Sequence, residues 1–117
     1  MNEYFKREEF ECKCGCGLYY PNELLLLVLT DLREHFDQPV FITSATRCPT
    51  HNAKVGGAKS SQHIKGTAAD IQVYCVDPSL IQDYLEAKYP HTLGIGRYHN
   101  FTHVDVRSGK SRWGITY

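Results

Sequence analysis

His63, Asp70 and His103 are the residues of this chain whose types and spacing suit a metal centre. His63 stands seven positions before Asp70 in the run Ser60-Ser61-Gln62-His63-Ile64-Lys65-Gly66-Thr67-Ala68-Ala69-Asp70. Alone, such a pair means little: six His and six Asp in 117 residues supply about 0.3 of them by chance. The surroundings add the specificity. Gly66 lets the backbone turn sharply after His63, Ala68 and Ala69 leave room, and Asp70 sits on the polar side of a predicted strand. His103 brings a third donor from another polar strand face. Taken singly, each histidine reads more simply as a solvated or satisfied side chain; the three positions together carry the metal reading. Two imidazoles and one carboxylate, with a fourth position open to water, form the donor set of a catalytic zinc site, whereas calcium and magnesium favour oxygen shells. One carboxylate leaves the ion a net positive charge, enough to polarise a carbonyl and activate water.

The elements that must position these donors are legible in the pattern of apolar residues. Asn22 can cap a helix running to Phe36, with Leu25, Val28, Leu29, Leu32 and Phe36 at helical spacing. Leu24, Leu26 and Leu27 widen that stripe and predict first turns buried on two sides. Val40–Thr43 reads as a short strand, and Pro49 suits the first position of a short helix to Lys54, ended by Gly56-Gly57. Thr67–Val76 reads as a strand with Ile71, Val73 and Cys75 on one face and Ala68, Asp70 and Gln72 on the other. Asp77 and Pro78 start a helix carrying Leu80, Ile81, Tyr84 and Leu85, stopped near Pro90. Leu93–Tyr98 and Phe101–Arg107 follow as strands joined at His99-Asn100; Val104 and Val106 oppose His103, Asp105 and Arg107. Arg112–Thr116 adds an edge strand. The expected fold is α+β, one domain over 1–117, with a mostly antiparallel sheet and helices packed on one face.

Composition excludes several classes of function. Thirteen basic residues balance thirteen acidic ones, so no net field recruits nucleic acid or an anionic membrane. The most apolar run, Leu24–Leu29, is far shorter than the roughly 20 residues that span a bilayer. The start lacks an apolar signal core, which predicts synthesis in the cytoplasm and delivery to any external substrate by other means. Five cysteines are an odd number and argue against a full disulfide framework. Cys12, Cys14 and Cys16, with Cys48, suit either a second structural zinc, a disulfide or reduced thiols in a Gly-rich turn, and Cys75 reads as a small core residue.

Several segments together carry a resemblance. Ser44-Ala45-Thr46-Arg47-Cys48-Pro49, His51-Asn52, Val55-Gly56-Gly57-Ala58, Ser61 through Ile71, Gly94-Ile95-Gly96-Arg97-Tyr98 and His103-Val104-Asp105-Val106-Arg107 lie in order between residues 44 and 107. The pattern resembles the zinc D-alanyl-D-alanine carboxypeptidases, in particular their small single-domain branch common in phage and prophage proteins. That resemblance implies a hedgehog-like fold, Zn2+ on His63, Asp70 and His103, a substrate-binding arginine at Arg47 and a peptide-contacting serine at Ser61. The implied substrate is a peptidoglycan stem peptide, cut by a carboxypeptidase or an endopeptidase of phage or endolysin type. The implied protein is a monomer acting on the cell wall after release or delivery. Relatives such as the vancomycin-resistance dipeptidases carry a Glu-x-x-His base before the last ligand; here that place is Asn100, which accepts no proton. Asp105 is then the candidate base, with orientation of a ligand or pairing with Arg107 as its other role. His99 is a candidate proton donor to the leaving amine, or else a solvated turn residue. The missing Glu also supports a rival of another class: a non-catalytic, zinc-stabilised wall-binding or phage structural module.

Overall fold

The computed structural model describes residues 4–12, 14, 22–47, 49–55, 67–107 and 109–114. The first long helix, α1 (Glu23–Phe36), begins where Asn22 Oδ1 accepts the Leu25 N–H at 2.9 Å. It buries the single stripe Leu25, Val28, Leu29 and Leu32. Leu24 and Leu27 are exposed, contrary to the two-sided burial expected from their composition. The reason is geometric: α1 rests on one sheet face, and a helix against one surface covers only one stripe. Strand β1 (Val40–Ser44) and the short helix α2 (Pro49–Lys54) follow. Strand β2 (Ala68–Val73) leads to α3 (Pro78–Lys88), whose Asp77 cap accepts the Ser79 N–H at 2.9 Å. Strands β3 (Gly94–Arg97), β4 (Thr102–Asp105) and β5 (Ser111–Gly114) complete the elements among the described residues.

The five strands form one sheet in the order β1-β2-β4-β3-β5. Three pairings are antiparallel and the last, β3 with β5, is parallel. The architecture is the expected α+β one. Ile42, Ala69, Ile71, Val73, Ile95 and Val104 join α1 and α3 side chains in one core with Phe5 and Phe10. Alternation therefore sends the intervening residues to the opposite face.

Two details depart from the periodicity. Strand β2 stops at Val73, because the Val76 N–H closes a turn on Val73 O at 3.1 Å and Cys75 adopts a left-handed φ of 59°. Cys75 is exposed there rather than in the core. In α3, Leu80 is exposed while Gln82 is fully buried. Gln82 Nε2 donates to Thr102 Oγ1 at 3.1 Å and Tyr98 O at 3.3 Å, so an amide ties α3 to the β3–β4 turn without leaving its donors unmet. Among the described residues no helix is long and apolar enough to cross a membrane.

Candidate metal centre

Cross-strand register brings two of the three predicted ligands together. Asp70 on β2 pairs directly with His103 on β4, and paired residues present their side chains to the same sheet face. Asp70 Oδ1 lies 2.9 Å from His103 Nδ1. Both residues are buried to a similar degree, yet they face away from the core. His63, the third predicted ligand, and Ser61 lie outside the described residues, as do Cys16 and Cys48. Among the described residues no group of three His, Cys, Asp or Glu side chains surrounds a common point. Cys12 Sγ lies 3.5 Å from Cys14 Sγ.

The far side of the His103 ring is held as firmly as the near side. His103 Nε2 is 2.8 Å from Asp105 Oδ2. Arg107 grips the same carboxylate twice, Nε to Oδ1 and Nη2 to Oδ2, each at 2.7 Å. Such a fork-to-carboxylate pair fixes orientation as well as charge. The Asp105 side chain is 0% exposed. Burial pushes its carboxyl up, but hydrogen bonds from Arg107 and His103 outweigh burial and hold it well below the usual carboxylate range. For His103, burial pulls the pKa down, while Asp105 and Asp70 reverse this and raise it. With Nε2 committed to Asp105, the nitrogen facing Asp70 is Nδ1. This carboxylate-imidazole-carboxylate line fits a metal site, in which an outer carboxylate sets the tautomer of a coordinating histidine.

Of the two roles expected of Asp105, general base or partner of a ligand and Arg107, the geometry shows the pairing: both of its oxygens are engaged by His103 and Arg107. Arg47, the expected substrate-binding arginine, lies beside Asp70 and is part of the framework. Its Nη2 donates to Asp70 Oδ2 at 3.4 Å, its Nε to Ser44 Oγ at 3.2 Å and its Nη1 to the buried Asn52 Oδ1 at 3.3 Å. His99 lies in the exposed turn between β3 and β4, lining a groove with Asn100 and Gln72.

Other residues shape the centre without having been singled out for it. Trp113 on β5 pairs opposite Gly96, and its ring sits 5.0 Å from that of His103 and 5.2 Å from the Arg107 guanidinium. Trp113 Nε1 donates to Tyr98 OH at 3.0 Å. A Cβ on Gly96 would come within 2.7 Å of that Nε1, and one on Gly94 would overlap the Asp105 carboxylate. The two glycines of Gly94-Ile95-Gly96 are thus the space into which Asp105, Arg107 and Trp113 fold over His103. A glycine at alternate strand positions is the sequence signal for such a close approach.

A sequence model of the family described as Peptidase M15 matches residues 3–105. No curated protein matches the chain.

Proposed function

Because the chain belongs to the peptidase M15 family, whose members are zinc-dependent metallopeptidases, we propose that it hydrolyses a peptide bond of peptidoglycan stem peptides, as a D-Ala-D-Ala carboxypeptidase or an endopeptidase. The observation that carries this reading is the contact of Asp70 Oδ1 with His103 Nδ1 on the sheet face opposite the core. His63, Asp70 and His103 would hold the ion. When bound, zinc supplies Lewis-acid polarisation of the scissile carbonyl and makes water nucleophilic near neutral pH.

The remaining chemistry belongs to side chains of this chain. Asp105, locked by Arg107, accepts a hydrogen bond from His103 Nε2–H and so keeps Nδ1 available to coordinate. Arg47 pins Asp70 and leaves a positive charge beside it, suited to a substrate carboxylate or carbonyl. Ser61 would donate to the bound peptide. Trp113 lies against the His103 ring and is joined through the Tyr98 hydroxyl to the Tyr98–Phe101 pair, stacked at 4.4 Å.

The test is hydrolysis of purified peptidoglycan with product analysis by mass spectrometry. Turnover that disappears with a chelator and returns with zinc is the expected result. Release of single D-alanine marks a carboxypeptidase, and larger fragments mark an endopeptidase. A folded chain that binds zinc and cuts neither whole wall nor soluble stem peptides would instead support the non-catalytic module.

A further inference from the structure

One step along β2 from Asp70, the sheet face opposite the core opens into a groove of about 470 Å³ lined by Phe41, Gln72, Tyr74, Val76, His99 and Asn100. Register explains its position. Gln72 lies two residues beyond Asp70 on the same face, roughly 7 Å away at the usual rise per residue, and Phe41 pairs opposite it. Gln72 Nε2 donates to Asn100 O at 2.7 Å, which ties the floor of the groove to the turn bearing His99. Phe41 and Tyr74 stand at the groove 49% and 56% exposed. Large rings left open on the site face, rather than spent in the core, are the groove's main recognition surface.

Charge decides what would fill it. Among the described residues no Asp, Glu, Lys or Arg side chain lines the groove, whereas the adjoining centre holds Arg47, Asp70, His103, Asp105 and Arg107. The carboxylates and amines of a stem peptide find partners at the centre and none in the groove. A neutral ligand with flat C–H faces and a polar rim suits the groove instead. Resting on the peptidase reading above, we propose that the groove binds an N-acetylhexosamine unit of the glycan strand to which the stem peptide is attached. A pyranose C–H face packs on Phe41 or Tyr74, while Gln72, His99 and Asn100 offer amide and imidazole groups to hydroxyl and acetamido edges. The volume falls in the range of sites for small organic ligands. The chain then prefers glycan-linked peptide to the same peptide free.

Two measurements on the full zinc-loaded chain test this, and one of them needs no turnover. Calorimetric titration with the tetramer of N-acetylglucosamine should show binding that Tyr74→Ala weakens by about tenfold or more and Tyr74→Trp restores. In parallel, kcat/KM for a glycan-linked muropeptide should exceed that for the sugar-free peptide by about tenfold, a ratio that falls toward one in Tyr74→Ala and Phe41→Ala. Both rings are exposed, and melting curves verify the fold of each variant. The proposal is overturned if the tetramer does not bind, if it binds wild type and both alanine variants alike, or if the preference for glycan-linked substrate survives both substitutions. It is equally overturned if Tyr74→Ala weakens binding of free stem peptide and not of the tetramer, which makes the groove a peptide subsite. If neither peptide is cut but tetramer binding depends on Tyr74, the peptidase reading fails and the glycan site stands.

Discussion

Asp105→Asn discriminates best between the roles available to this carboxylate. Asp105 Oδ2 receives both His103 Nε2 and Arg107 Nη2, and Oδ1 receives Arg107 Nε. An amide cannot serve both neighbours. If its oxygen turns to Arg107, its NH2 faces Nε2 and forces the imidazole proton onto Nδ1, the nitrogen beside Asp70; if it turns the other way, NH2 meets guanidinium N–H. Breaking a fully buried ion pair costs about 3–5 kcal/mol. Arg107 is 32% exposed and can rehydrate, which places the loss lower, at about 2–3 kcal/mol. For a chain of this size that lowers Tm by roughly 8–12 °C. Zinc affinity should fall about 10- to 100-fold, and saturating zinc should restore most of kcat. Calorimetry, competition with a chromophoric chelator and zinc-saturated kinetics read the three effects separately. The reasoning is refuted if Asp105→Asn keeps wild-type Tm and zinc affinity but loses about 10² or more in kcat at saturating zinc, the signature of a lost general base.

Arg47→Ala should lower kcat/KM and also destabilise the fold by about 1–3 kcal/mol, because Asp70 and the buried Asn52 lose a partner; unchanged melting would make Arg47 purely a substrate contact. Gly96→Ala should cost about 1–3 kcal/mol by driving Trp113 off His103, read as a red-shifted Trp emission, and Trp113→Ala made together with it should remove most of the added penalty. Asp31 accepts from Tyr84, Tyr89 and Lys88; burial raises its pKa, but these partners, Lys88 foremost, lower it below the ordinary value. Its stabilisation is therefore present above the unfolded pKa of about 4 and lost as pH falls through the lower folded pKa. Asp31→Asn should accordingly be less stable than wild type at pH 7, with the gap closing below about pH 4; a gap that widens in acid would contradict the assignment.

Local periodicity carried most of the fold. The α1 stripe, the Asn22 and Asp77 caps, the Pro49 start of α2 and the alternation of β2 and β4 are all short-range patterns, written within one or two turns or strand steps. What short-range patterns misjudged was burial set by distant partners. Leu24, Leu27 and Leu80 are apolar and exposed, Gln82 is polar and fully buried, and Cys75 leaves the strand through a left-handed turn. Each outcome depends on which surface lies opposite, and a helix or strand does not encode that surface.

The residue types and order of the candidate centre are legible in the sequence alone: a strand must point Asp70 and His103 away from Ile71 and Val104, because side chains alternate. Their meeting was not. That Asp70 stands opposite His103, 33 residues later, follows from the β2–β4 register, which long-range pairing chooses. The same is true of the clasp behind the histidine, where Asp105, Arg107 and Trp113 converge over Gly94 and Gly96. A sequence names such residues without saying that they touch, since contact across a sheet is decided by how strands from distant segments align, and only the folded chain fixes that alignment.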